Sequence, residues 1–179
     1  MATTPASPAA GRDGRDAPRR VLVAGVGYDN LRDQSVGPLA LALLAQHDWP
    51  AGVELEDLSA GAVHVTHALQ AREPYAAAVF VAAAQRGDPP GTVRVSRYTH
   101  GTASAEEVQI RVTEAVTGVV SIDTLLTVLD HFGAHPARVI TVEVEPLDVG
   151  WGSELSPPVD ASLGRVQAAV TSAVADLVA

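Results

Sequence analysis

The sequence has 179 residues, 47% of them hydrophobic, with a mean hydropathy of +0.16: enough for one domain with a real core and too few for two ordinary ones. Acids outnumber bases 21 to 12, giving a formal charge of −9 and a pI near 5.0, which excludes nucleic acid and anionic membrane as main partners because both are bound through clustered positive charge. Cysteine is absent, so disulfides, thiolate metal sites and cysteine nucleophiles are excluded together.

Residues 1–19 are rich in Ala, Pro, Gly and paired charges without apolar periodicity, and are expected to be a disordered tail before one domain over 20–179. Arg19-Arg20 precedes an apolar run, but VLVAGV is too short for the core of an export signal, so a cytoplasmic protein is expected. That run, Val21–Val26, closes on Gly25-Val26-Gly27 and predicts a strand buried on both faces. Pro38–Gln46 follows as a helix with Pro38 in its first turn. Val53–Asp57 alternates apolar and acidic residues as a second strand, Ala62–Gln70 reads as a helix, and Ala77–Ala83 as another buried strand. After the Pro89-Pro90-Gly91 turn, Thr92–Arg97 alternates strictly, the pattern of an edge strand.

Ser104-Ala-Glu-Glu107 has capping-box spacing and opens a helix. Ser121 caps the next, whose apolar face is Leu125, Leu126, Val128, Leu129 and Phe132 and whose stop is Gly133. Arg138–Val144 is the last strand. Pro157–Val178 is expected as one amphipathic helix carrying Leu163, Val166, Val170, Val174 and Leu177 inward. Alternating strands and helices predict an α/β fold, a three-layer α/β/α sandwich around a mostly parallel sheet of about five strands. The apolar runs of about 6 to 8 residues are far short of a membrane span, so no membrane partner is expected.

In such a sheet, sites form beyond the carboxyl ends of the strands. Two such ends are polar: the loop Gly25–Gly37, and Asp57-Leu58-Ser59-Ala60-Gly61. Their acids and amides, Asp29, Asp33 or Gln34 beside Asp57, offer oxygen ligands to a divalent cation. The competing readings are a tight turn at Gly25 and Gly27 and a structural role for Asp33. A dinucleotide fingerprint fits poorly, because Asn30 stands where the third glycine belongs. Ser35 and Ser59 lie near strand ends without a nucleophile elbow. Trp151, between Gly150 and Gly152, is either a partner contact or packed over the sheet edge.

Gly25-Val-Gly-Tyr-Asp-Asn-Leu-Arg-Asp-Gln-Ser-Val-Gly37 resembles the G-x-G-N-x-L-x-x-D-[DE]-G-x-G opening of the nickel–iron hydrogenase maturation endopeptidases. The resemblance continues through Asp57, Pro90-Gly91-Thr92-Val93, Glu145-Pro146 and Leu155-Ser156-Pro157. It implies removal of a C-terminal peptide from a hydrogenase large-subunit precursor after nickel insertion, with nickel supplied by that precursor. It also implies that an acid in the first loop, an acid after the second strand and a later histidine contact the metal. Here those positions fall on Gln34, on Asp57 and near Gly118, and Val116–Val120 contains no histidine. Asp33, Gly27 and Asn30 fall in the loop that meets the substrate, and Tyr28 replaces the usual asparagine.

His64 and His67, three residues apart on one helical face near Asp57, are possible substitute ligands. His100 lies in a polar loop from which it can turn inward. His131 and His135 flank a helix end where positive charge suits the dipole, and read as structural. No catalytic nucleophile stands out. The alternative to a peptidase is a binding or chaperone module on the same fold that escorts a hydrogenase large subunit without cutting it.

Overall fold

β1 (Val21–Val26) is buried along its whole length, and its alternate side chains serve two separate cores. The computed structural model describes residues 19–179; the expectation of a disordered tail falls, but for Arg19, outside the described residues. β1 is followed by a 3-10 turn (Arg32–Ser35), α1 (Val36–Leu44), β2 (Val53–Asp57), α2 (Ala62–Gln70) and β3 (Ala77–Ala83). Then come β4 (Val93–Arg97), α3 (Ala105–Val116), α4 (Ile122–His131), β5 (Arg138–Val144), the short α5 (Pro157–Asp160) and α6 (Leu163–Val178).

The five strands lie in the order β2-β1-β3-β5-β4, with β4 antiparallel to β5 and the other pairs parallel. Period-two alternation divides the buried side chains between the faces. Leu22, Ala24, Val26, Ala78 and Phe80 pack with Val65 and Leu69 of α2 and Leu125, Leu126 and Leu129 of α4. Val21, Val23, Val79, Val81, Val142 and Val144 pack on the other face with Val36, Ala40 and Leu44 of α1 and Val166, Val170, Val174 and Leu177 of α6. The result is the three-layer α/β/α sandwich that the alternation of elements predicts.

Three of the expected elements have other bounds. The first helix starts at Val36 rather than Pro38, because the 3-10 turn feeds straight into it and Pro38 still lies in its first turn, where no N–H partner is needed. It ends at Leu44, whose carbonyl accepts the indole N–H of Trp49 at 2.9 Å. Thr92 leaves the edge strand and instead donates its N–H and hydroxyl to Pro89 O, at 3.0 and 2.6 Å. The last helix is two: the chain turns at Ala161-Ser162, where buried Ser162 donates its hydroxyl to Val159 O at 2.6 Å. Phe132, expected on the apolar face of α4, is its C-cap and is half exposed. Ser104 and Ser121 do cap their helices, accepting from Glu107 N and Thr124 N.

Candidate active site

The strand order reverses between β1 and β3, and crevices in doubly wound sheets open at such switch points. A cleft of about 400 Å³ lies there, lined by Tyr28 and Gln34 after β1, Ala83–Gln85 at the end of β3, and Val119–Asp123 with Arg111 and Glu114 from the α3–α4 corner.

The β1 loop folds tightly back on its strand. A side chain at Gly27 would collide with the carbonyl of Gln34, and one at Gly37 would come within 2.6 Å of Val26 N and Val81 O. Both positions therefore demand glycine for close backbone approach. Asp33 holds the loop from the centre. Its Oδ2 accepts from Leu147 N (2.8 Å), Asp148 N (2.9 Å) and the Ser156 hydroxyl (2.7 Å), and its Oδ1 accepts from Ser156 N (2.7 Å). The side chain is wholly buried. Burial pushes its carboxyl pKa up, but the hydrogen bonds from Asp148, Ser156 and Leu147 outweigh this and bring it below the ordinary value. Asp33 thus ties the β1 loop to the segments after β5 and before α5.

That tie is reinforced by backbone. Arg32 N donates to Gly152 O at 2.9 Å, Asp33 N to Asp148 O at 3.1 Å, and Gly152 N to Asn30 O at 3.1 Å. Arg32 has φ +39, a strained value for a non-glycine residue, and its guanidinium is 3.2 Å from Asp148. The loop so fixed carries Leu147, Val149 and Trp151 outward, with Trp151 82% exposed. Of the two readings of Trp151, packing over the sheet edge is set aside.

Asp57 ends β2 and is exposed. Its Oδ1 accepts from Ser59 N at 3.0 Å and from the Ser59 hydroxyl at 2.5 Å, and the same hydroxyl oxygen accepts Gly27 N–H at 3.2 Å. Asp57 is thereby oriented from β1, while among the described residues nothing donates to its Oδ2. Gln34, next to the buried Asp33, is half-buried and borders the cleft. Gln34 offers a neutral carboxamide oxygen and Asp57 one open carboxylate oxygen, both ligand types for a hard cation. Asp57 is not among the residues lining the cleft itself.

His64 and His67 are exposed on α2, because Ala62, Val65, Thr66 and Leu69 turn the opposite face of that helix into the core. Asp57, His64 and His67 do not converge as a three-ligand group: among the described residues, the group of that kind is His100, Asp130 and His135. Gly118 has φ +87, so the turn that faces the cleft is built on a conformation that a histidine there would strain.

Sequence reasoning missed how Tyr28 closes one side of the cleft. Its phenol oxygen accepts Val120 N–H at 2.8 Å across 92 residues of chain. It missed the ion-pair network beside the cleft as well. Arg86 donates to both oxygens of Asp123 (2.9 and 2.7 Å) and to Glu143 (2.8 Å), which raises its pKa through Asp123 first and Glu143 second. Glu145 accepts from Arg86 N and Gly87 N. Glu114 accepts the Thr124 hydroxyl at 2.7 Å and Arg111 at 3.0 Å, and those bonds, Thr124 foremost, lower its carboxyl pKa. Long-range ion pairs of this kind have no local signature to read.

No family model matches the sequence, and no curated protein matches it. Solved structures do. The chain is similar to the hydrogenase maturating endopeptidase HybD from E. coli at 22% identity and TM-score 0.68, over 88% of this chain and 93% of that one. It is similar to a hydrogenase 2 maturation peptidase from a Thaumarchaeota archaeon at 25% identity and TM-score 0.62, over 87% and 97%. A third is the [NiFe] hydrogenase maturation protease HybD from Thermococcus kodakarensis, at 19% identity and TM-score 0.59, over 87% and 99%. This chain has the fold of the hydrogenase maturation endopeptidases.

Proposed function

We propose that the chain is a divergent hydrogenase maturation endopeptidase, which removes the C-terminal peptide of a nickel–iron hydrogenase large-subunit precursor. The observation that carries this reading is the likeness to maturation peptidases over nearly nine-tenths of the chain, supported by a cleft beside the β1 loop at the switch point of the sheet. Nickel belongs to the precursor in this reading and is part of the substrate. A metal-bound centre polarises a nearby carbonyl or water. Asp57 contacts it through Oδ2, held in place by Ser59, and Gln34 adds a neutral oxygen from the cleft wall.

The precursor tail lies along Tyr28 and Val119–Val120, and Leu147, Val149 and Trp151 give the folded part of the precursor an apolar contact. Rigid presentation of a large aromatic ring suits it to be an anchor. Among the described residues no helix is long and apolar enough to cross a membrane. The reaction takes place in the cytoplasm in this proposal, before the hydrogenase is assembled.

The test is the intact mass of the cognate large subunit from cells with and without this chain. A subunit that stays longer by its C-terminal peptide in the deletion strain supports the reading. Equal masses with impaired nickel loading would instead favour an escort that does not cut, for which the missing histidine in Val116–Val120 is the motivating feature.

A further inference from the structure

A second group of metal-type side chains stands at the other end of the sheet, and neither the cleft nor the peptidase reading uses it. β4 runs antiparallel to β5 and ends at Arg97 beside Ile140, so the loop that follows lies at the amino end of β5. That loop carries His100. Asp130 is in the last turn of α4, and His135 is in the connection from α4 to β5. His100 Nδ1 is 3.1 Å and His135 Nε2 is 3.2 Å from the same oxygen, Asp130 Oδ1. The three residues bring their ligand atoms within 4.8 Å of one another, and all three are half-buried.

We propose that His100, Asp130 and His135 bind a divalent transition metal of the zinc class. Ligands about 2.0–2.1 Å from a tetrahedral zinc stand about 3.3 Å apart, so both nitrogen–oxygen separations are already close to one coordination edge. Two imidazoles and a carboxylate suit zinc and its neighbours rather than calcium or magnesium.

The hydrogen bonding of His135 points the same way. Its Nδ1 lies 3.0 Å from the carbonyl oxygen of Pro136, which accepts and cannot donate, so Nδ1 carries a proton. In the neutral ring the lone pair of Nε2 then faces the Asp130 carboxylate, acceptor against acceptor. A backbone carbonyl on Nδ1 is also the outer contact that commits Nε2 to a metal. The His100 and His135 rings stack at 3.8 Å between centroids, a poor arrangement for two imidazolium charges. Asp130 Oδ2 is fixed by Gly101 N–H at 2.6 Å, which leaves Oδ1 as the oxygen turned to both rings. A metal here staples the β4–α3 loop to the end of α4.

The experiment titrates zinc alone into the full chain by calorimetry, with circular dichroism confirming that each variant is folded. The expected result is one zinc per chain. Loss of a ligand in His100→Ala or His135→Ala should weaken binding at least as much as the roughly 10–100-fold that loss of an outer contact costs. The double variant His64→Ala/His67→Ala should bind as the parent does. If a variant fails to fold, His135→Gln keeps the volume and removes the ligand. No zinc binding, binding that survives loss of both His100 and His135, or binding abolished by loss of His64 and His67 would each overturn the proposal. None of these outcomes depends on precursor cleavage.

Discussion

Two aspartates follow neighbouring strands and have opposite environments. Asp33, after β1, is wholly buried and accepts four hydrogen bonds from Leu147, Asp148 and Ser156. Asp57, at the end of β2, is exposed and has one oxygen held by Ser59. A carboxylate whose acceptor positions are filled by its own chain has nothing left for a ligand. An oriented carboxylate with one open oxygen does. Asp33 therefore builds the loop, and Asp57 is the acid with an oxygen open to a ligand.

The contrast is broken most strongly by Asp33→Ala. Each buried donor left unsatisfied costs roughly 1–3 kcal/mol, so losing Asp33 should cost about 3 kcal/mol or more in urea denaturation. Cleavage should be lost with it. Asp57→Ala should do the reverse: stability within about 1 kcal/mol of the parent, as for an exposed side chain, and processing of the precursor reduced at least about a hundredfold. A variant that processed normally would remove Asp57 from the site.

Acid sharpens the same contrast. The Asp33 pKa is lowered in the folded chain, so its stabilisation is present above the ordinary aspartate value of about 3.9 and disappears as the pH falls through the folded value. Urea midpoints measured across that range should fall with acid in the parent, and the part owed to Asp33 should be missing in Asp33→Asn. Gln34→Glu tests the neighbour of the buried acid: a charged oxygen beside the cleft should raise processing several-fold, with unchanged stability. The smallest effect is expected from Trp151→Ala, which should raise KM for the precursor by about tenfold, roughly 1.4 kcal/mol, and leave kcat alone. An effect on kcat instead would place Trp151 in the chemistry rather than in docking.

Much of the fold was legible because burial has a period. The alternation in Val53–Asp57 and Thr92–Arg97 and the continuous apolar runs of β1 and β3 carry the sheet order's inside and outside in their composition. The break between α5 and α6 was not legible, since Leu163 and the valines after it continue a helical stripe that conceals the turn at Ser162. In the site, Gly25 and Gly27 announced a tight turn, and its reason is close contact with the backbone of Gly37 and Gln34. The partners of Asp33 lie more than 110 residues away, so nothing local distinguishes it from Asp57. His135 looked like a charge at a helix end. Its role as a neighbour of His100 depends on the β4 loop folding back over α4.

The most direct test of the account compares purified parent, Asp57→Ala and Gln34→Glu chains on nickel-loaded large-subunit precursor, following intact mass with time. The account predicts one C-terminal cut by the parent, a faster one by Gln34→Glu and almost none by Asp57→Ala. A precursor left intact by the parent and by Gln34→Glu, or cut equally well by Asp57→Ala, would contradict it.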